Sequence, residues 1–81
     1  MRLDKYLKVS RIIKRRTLAK DAASNQKIEI NNKVAKPSTA VCIGDKLTLH
    51  LGKKTIKVEV TSLTLIKDGL MYKLLSEEKR P

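Results

Sequence analysis

The amino-acid sequence predicts an α+β fold, in which an N-terminal two-helix hairpin packs on a small antiparallel β-sheet. Apolar residues first recur at helical spacing and then, from residue 28 onward, alternate with polar residues as they do in strands. Turn-forming residues separate the alternating segments. With 81 residues, 41% of them hydrophobic, the chain can build one domain with a modest core. Residues 1–75 are predicted to form this domain, followed by a solvated tail at 76–81.

The first helix is predicted at residues 3–9. Leu3, Tyr6 and Leu7 fall on one apolar face, with charged side chains on the other. Tyr6 could stack on a nucleobase, but we expect it in the core, because the chain has two Tyr and neither Phe nor Trp. We expect Asp4 to orient an arginine or to cap this helix rather than to act as a base.

The second helix is predicted at residues 17–24, with Thr17 as its N-cap. The segment RIIKRR connects the two helices, and its isoleucines are expected to tuck between them. Leu7 and Leu18 are expected to join this hairpin to the sheet. Their predicted contacts in the sheet are Ile28, Leu47 and Val58.

Five short strands are predicted from the alternating segments that follow the helices. They lie around residues 27–30, from 34 onward, 46–51, 56–61 and 71–75. The turns between them are assigned to Asn31-Asn32, Gly44-Asp45, Gly52-Lys53-Lys54 and Asp68-Gly69. Pro37 limits the second strand, because proline cannot donate a backbone hydrogen bond to a neighbouring strand.

The first twenty residues hold eight basic side chains and one acidic one, so this segment carries +7 of the net charge of +11. Such a concentration of positive charge indicates a nucleic acid or an acidic membrane surface as the partner. We expect nucleic acid and no membrane, because helices this short need their apolar faces for the core.

Two subsets of these cations are expected to bind phosphate. Arg15 and Arg16 precede the predicted second helix, whose free N–H groups attract an anion. A phosphate bound there would meet those N–H groups, two guanidinium groups and the Thr17 hydroxyl. Three further cations recur at spacings of three and would line one face if the first helix continued that far: Lys5, Lys8 and Arg11.

The other chemically active residues predict no catalysis. One cysteine, Cys42, and one histidine, His50, cannot form a disulfide or a zinc site, and no metal or cofactor is expected. Cys42 is expected in the core and His50 on the polar side of a strand. The sequence offers no paired carboxylates and no nucleophile beside a base. It also lacks an apolar run that could span a bilayer or serve as a signal peptide, so the expected location is the cytoplasm.

The order and spacing of the motifs resemble the RNA-binding domain first seen in ribosomal protein S4. The resemblance rests on Arg2-Leu3-Asp4-Lys5-x-Leu7, Ser10-Arg11, Thr17-x-Ala19, Lys36-Pro37-Ser38, Val41 and Gly44-Asp45-x-Leu47. Within this family, KVSRIIKRRTLAK is most similar to small stand-alone bacterial proteins of the RqcP group, relatives of the ribosomal fifteen-kilodalton heat-shock protein. The family usually has glycine where this chain has Gln26 and Asn32, so both positions are expected to adopt positive φ.

The resemblance implies a protein whose helical hairpin, the alpha-L motif, binds RNA. We expect a monomer, because the sequence shows no dimer-forming element. The implied partners are the rRNA of the large ribosomal subunit, the P-site peptidyl-tRNA left after subunit splitting, and an RqcH-type factor. That factor adds alanine tails to stalled chains on the same particle. The implied RNA contacts, with Arg2 and Arg16 foremost, are Arg2, Lys5, Lys8, Arg11, Lys14, Arg15, Arg16, Thr17 and Lys20.

Three other classes of function remain open from the sequence. Two short helices with a tight connection can form a helix-turn-helix regulator that binds DNA. Against this, the basic residues crowd the first helix and the connection rather than a single recognition helix. A general RNA-binding or ribosome-rescue factor is the second alternative. An enzyme is the least expected class, because the sequence contains no catalytic constellation.

Overall fold

The computed structural model describes residues 1–64 and 69–79, which form two helices and one five-stranded antiparallel sheet. The helices are α1 (Leu3–Val9) and α2 (Arg16–Ser24). The strands are β1 (Ile28–Ile30), β2 (Lys33–Val34), β3 (Lys46–Leu51), β4 (Lys54–Val60) and β5 (Tyr72–Lys79). Their spatial order is β2-β1-β3-β4-β5. The predicted α+β class, with its helical hairpin and antiparallel sheet, is confirmed.

The first helix occupies the predicted residues, whereas α2 begins one residue earlier than predicted. Arg15 is the N-cap, with an extended backbone and no side-chain capping hydrogen bond. Its carbonyl oxygen accepts the Ala19 N–H at 3.0 Å, which starts the helical ladder at Arg16. The predicted N-cap at Thr17 is therefore wrong, and Thr17 lies within the first turn of the helix.

Four non-glycine residues of the described ranges have a left-handed backbone: Arg11, Gln26, Asn31 and Asn32. Gln26 has φ 60° and Asn32 has φ 69°, which confirms the expectation at both positions where the family usually has glycine. Arg11, with φ 65°, is not predicted by any sequence pattern. It follows the C-cap residue Ser10 and turns the chain away from the axis of α1.

The core lies between the helical hairpin and one face of the sheet. As predicted, Leu7 is fully buried in one cluster with three sheet residues, Ile28, Leu47 and Val58. Leu18 is 53% exposed, so its predicted place in this core is wrong. The second helix instead buries Ala19 and Ala23, which lie four residues apart on one helical face, and Leu18 points away from that face.

The last strand is longer than predicted. It continues to Lys79, which pairs with Lys54 at the start of β4. The sequence pattern ends the strand near residue 75 because the following residues are polar, but backbone pairing with β4 does not require apolar side chains. Residues 76–79 of the predicted tail are therefore strand, with mostly exposed side chains. The rest of that tail and the turn predicted at Asp68 lie outside the described residues.

Cys42 is exposed, so its predicted place in the core is wrong. Val41, the preceding residue, is buried instead. Cys42 begins the turn that leads into β3, in which the Asp45 N–H donates to the Cys42 carbonyl oxygen at 3.1 Å. The Cys42 N–H donates to the Asp45 carboxylate at 2.8 Å, which closes the turn before β3.

Candidate nucleic-acid interface

A buried carboxylate holds two of the arginines predicted to contact RNA. The Asp4 side chain is 3% exposed, and its Oδ1 atom lies 3.3 Å from Arg2 Nε and 3.6 Å from Arg16 Nη2. The Arg2 and Arg16 side chains remain about half exposed. We call these three residues the Asp4 cluster. The expectation that Asp4 orients an arginine is confirmed, and both guanidinium groups keep further N–H donors for an external anion.

The N-terminal ends of both helices meet at the Asp4 cluster. Arg2 is the N-cap residue of α1, and Arg16 is the first residue of α2. The Asp4 N–H donates to the Pro37 carbonyl oxygen at 3.1 Å, and the Asp4 carboxylate accepts the Lys5 N–H at 2.8 Å. These main-chain contacts fix the carboxylate independently of the two arginines. The arginines are therefore oriented by an anchor that belongs to the folded backbone.

The charge balance of the Asp4 cluster favours an external anion. One carboxylate faces two guanidinium groups, so the cluster keeps an excess positive charge. Because both cations are about half exposed, water and salt screen these ion pairs. The arrangement therefore orients the arginines more than it stabilises the fold.

The first turn of α2 adds backbone donors beside the cluster. The helix has no acidic residue in its first turn, and Arg15 makes no side-chain capping hydrogen bond. The first N–H groups of a helix lack intrahelical acceptors and carry partial positive charge. Together with the exposed side chains of Arg15 and Thr17, these N–H groups form a surface suited to phosphate.

A second group of cations surrounds a concave surface at the C-terminal end of α1. This surface is lined by Lys8, Val9, Arg11 and Lys14, which we call the Arg11 pocket. Lys5, Lys8 and Arg11 would have lined one face only if the first helix continued to Arg11. That condition is not met, because α1 ends at Val9 and the left-handed Arg11 leaves the helical path.

The nine predicted RNA-contact residues are all exposed. The Asp4 cluster contains two of them, and the Arg11 pocket contains three. The fold thus divides the predicted basic surface into two groups, one at each end of α1. The remaining four lie on the exposed sides of the two helices or at their ends: Lys5, Arg15, Thr17 and Lys20.

Sequence reasoning missed the contact between Asp4 and Arg16. The short spacing of Arg2 and Asp4 is a local signal for a pair of opposite charges. The contact with Arg16 depends on how the connecting segment folds the second helix back against the first. No periodicity in the sequence encodes that geometry, because it is set by the left-handed turn at Arg11 and by packing.

Tyr6 has a structural partner and does not belong to the interface. It is fully buried, and its hydroxyl donates to the Met71 carbonyl oxygen at 2.8 Å. Burial, and to a lesser extent the neighbouring Tyr72, raises the pKa of Tyr6 to about 12. Tyr6 is therefore a core residue, as expected, and its ring is not free to stack on a base.

The exposed face of the sheet carries a polar cluster rather than a lone histidine. His50 Nε2 lies 2.8 Å from Glu29 Oε2, and His50 Nδ1 lies 3.3 Å from Thr55 Oγ1. In the part of the chain that the structure describes, no group of three His, Cys, Asp or Glu residues could hold a metal ion. No helix of that part is long and apolar enough to cross a membrane.

Comparison with known proteins gives consistent matches. The family model described as "S4 domain" matches residues 1–47, a range that contains the Asp4 cluster and the Arg11 pocket. The chain is 52% identical to the RQC P-site tRNA stabilizing factor of Bacillus subtilis, over 98% of this chain and 96% of that protein. It is 45% identical to the RQC P-site tRNA stabilizing factor of Streptococcus pneumoniae, over 98% of this chain and 94% of that protein.

A solved structure supports the same relationship. Heat shock protein 15 of Vibrio cholerae, whose structure is described as trimeric, matches with a TM-score of 0.82 and 30% sequence identity. The match covers 94% of this chain and 82% of that one. The likeness therefore extends over the helical hairpin and the sheet together.

Proposed function

The chain belongs to the S4-domain family, and on that premise we propose that it is an RNA-binding factor of ribosome-associated quality control that stabilises tRNA in the P site. It binds large ribosomal subunits on which peptidyl-tRNA remains after subunit splitting, and it contacts both the rRNA and the tRNA. The observation that carries the proposal is the Asp4 cluster, in which a buried carboxylate holds two exposed arginines. The near full-length similarity to P-site tRNA stabilizing factors supports the proposed role in ribosome-associated quality control.

The chemistry of recognition is phosphate binding by oriented guanidinium groups. Arg2 and Arg16 each present a planar fork of donors that can form paired hydrogen bonds to phosphate oxygens. Because Asp4 already restrains both side chains, less conformational freedom is lost when RNA binds. Phosphate contacts carry no direct sequence information. The protein therefore selects a spatial arrangement of phosphates rather than a base sequence.

A large structured RNA suits this interface better than a free strand. The two groups of cations lie at opposite ends of α1, a helix of seven residues and thus about 10 Å long. Each group can meet only a few phosphates, so tight binding requires an RNA that holds several phosphates in fixed positions. An obstructed large subunit provides rRNA and the tRNA backbone at one vacated surface.

In this proposal the protein contributes to quality control by binding and not by catalysis. The protein acts as a monomer that keeps the tRNA in the P site while an RqcH-type factor on the same particle extends the stalled chain with alanine. It uses binding energy alone and requires no cofactor. Loss of the two arginines should therefore impair alanine tailing by releasing the protein from the particle.

Co-sedimentation tests the proposal. The protein is mixed with large subunits carrying peptidyl-tRNA, with empty large subunits and with intact ribosomes, at several salt concentrations. We expect preferential binding to the obstructed subunits and a steep loss of binding as salt rises. The double variant Arg2→Ala/Arg16→Ala should lose most of this binding. The double variant Lys53→Ala/Lys54→Ala removes the same charge and should retain it.

Two outcomes would reject the quality-control role. Equal binding to all three particles would leave only a general RNA-binding domain. Normal alanine tailing of stalled chains in cells that lack the protein would show that tailing does not depend on it.

A further inference from the structure

We propose that the Arg11 pocket is a subsite for a single unpaired nucleotide of the bound RNA. This inference rests on the proposed function and deepens it. The Asp4 cluster binds phosphates of the RNA backbone, whereas the Arg11 pocket receives one nucleotide that has left its helix.

The pocket brings together three cations that have no counter-charge among the described residues. Lys8, Arg11 and Lys14 line it, and none of them takes part in the ion pairs found among the described residues. Like charges that converge on one concavity repel each other in the free protein. That repulsion is relieved when an anion such as a phosphate binds.

The volume and the apolar lining of the pocket indicate a ligand larger than a lone phosphate. The concavity measures about 520 Å³, within the range of roughly 300–1,000 Å³ for sites that bind small organic molecules. Val9 supplies an apolar side chain that is half-buried against the core. A phosphate gains nothing from an apolar wall, whereas an extruded base packs against apolar side chains or a guanidinium plane. Paired A-form RNA keeps its bases stacked inside the helix and offers none to such a pocket.

The backbone conformation at Arg11 would suit glycine better than arginine. Its φ of 65° lies in the left-handed region, which side chains disfavour and glycine accepts. The Arg11 N–H donates to the Lys8 carbonyl oxygen at 3.0 Å, a bond that glycine would also make. Gln26 shares this strain, but Arg11 alone of the four left-handed residues also lines the Arg11 pocket, which gives its side chain a role. Here that role is to bring a guanidinium group to the pocket.

Each lining residue then has a defined task. The Arg11 guanidinium stacks on the base, and Val9 contacts the base or the sugar on the opposite side. Lys8 and Lys14 neutralise the phosphates that flank the extruded nucleotide. Because α1 is only about 10 Å long, that nucleotide lies close to the phosphates bound at the Asp4 cluster.

Three RNA hairpins test the subsite with the full chain at one fixed low salt concentration. One hairpin carries a single-nucleotide bulge, the second is fully paired, and the third has an abasic site in the bulge. The dissociation constant is measured for each by fluorescence anisotropy. We expect the bulged hairpin to bind roughly tenfold more tightly than the paired one. The abasic bulge should lose most of that advantage, because the flanking phosphates remain but the base is gone.

Substitutions at Arg11 separate charge, stacking and folding. Arg11→Gly suits the left-handed backbone, so it should keep or raise the melting temperature while abolishing the preference for the bulge. Arg11→Lys keeps the charge but lacks the planar group, so it should keep the salt dependence and lose most of the preference. Lys20→Ala removes one cation outside the pocket and should weaken binding to all three hairpins equally.

The subsite is overturned if the parent protein binds bulged and paired hairpins equally, if it binds none of the three, or if Arg11→Gly keeps the preference. Each of these results would leave the proposed function standing, provided that the parent protein still sediments with obstructed large subunits. Failure to sediment with those subunits would overturn the proposed function itself.

Discussion

The helical hairpin and the turn between β3 and β4 both carry exposed cations, but only the hairpin holds its cations in a fixed arrangement. In the hairpin, the buried Asp4 carboxylate restrains two arginines. At the turn, Lys53 is exposed, and Lys54 faces Glu77 at 3.6 Å with both side chains well exposed. Unlike Asp4, which is 3% exposed, the Glu77 side chain is 39% exposed, so salt screens this ion pair and it does little to fix its partners.

The difference between the two regions separates attraction from recognition. The net charge of +11 draws RNA toward the whole molecule. The Asp4 cluster differs because the positions of its two arginines are set before the RNA arrives, and restraint already present in the free protein lowers the cost of binding. Removing the packing that supports the hairpin should disrupt the arrangement of its cations, and removing one charge from each region in turn shows which charges belong to the site.

The largest expected effect comes from the packing that supports the hairpin. Leu7 is fully buried in the core, and Leu7→Ala should lower the free energy of unfolding by roughly 2–5 kcal/mol. Leu18 is 53% exposed, so Leu18→Ala should change it by less than about 0.5 kcal/mol. Urea denaturation of both variants makes this comparison. If Leu7→Ala unfolded at the same urea concentration as the parent protein, the described position of α1 would be wrong.

The second-largest expected effect comes from removing a restrained cation rather than an unrestrained one. Arg16→Ala and Lys53→Ala each remove one positive charge, but only Arg16 is restrained by Asp4. Arg16→Ala should weaken RNA binding by about 1–3 kcal/mol, the value of a forked contact to phosphate. Lys53→Ala should weaken it far less, and neither change should shift the melting temperature strongly. Equal losses of affinity in filter-binding assays would favour diffuse attraction over a defined site.

The smallest expected effect comes from a substitution in the hairpin that should change stability without changing RNA binding. Gln26 ends α2 with a left-handed φ of 60°, and its side chain lies outside both groups of cations. Gln26→Gly should raise the free energy of unfolding by roughly 0.5–1 kcal/mol, because glycine accepts this backbone conformation. RNA affinity should remain unchanged. A thermal melt and a binding titration check the two halves of this expectation, and a loss of affinity would show that binding depends on the end of α2.

The parts of the fold that depend on local patterns could be predicted from the sequence. The apolar spacing of Leu3, Tyr6 and Leu7 defines α1, because the same three residues must share one helical face. Asn31 and Asn32 mark a turn, because asparagine tolerates positive φ. The basic surface was also visible as composition, since its residues are consecutive or nearly so in the chain.

The parts that depend on tertiary contacts could not be predicted in the same way. Leu18 looks like a core residue by composition, but the small side chains Ala19 and Ala23 let α2 approach α1 closely and take the buried face. Arg11 has a left-handed backbone that redirects the chain, and no glycine at this position predicts that turn from the sequence. The contact of Arg16 with the Asp4 carboxylate follows from that redirection, so no local pattern contains it.

The most direct test of prepositioned arginines is the affinity of the Asp4→Asn variant for large subunits that carry peptidyl-tRNA. The substitution keeps the shape of the side chain and an acceptor for the Lys5 N–H, but it removes the negative charge that holds Arg2 and Arg16. Glu78→Gln is the matched control, because it makes the same change of charge on exposed β5. Both variants are compared below their melting temperatures and at one salt concentration. If the carboxylate positions the arginines, Asp4→Asn binds several-fold more weakly than the parent protein although its net positive charge is higher, and Glu78→Gln binds equally or slightly more tightly. Binding of Asp4→Asn that equals or exceeds that of Glu78→Gln would contradict this account and leave total charge as the determinant.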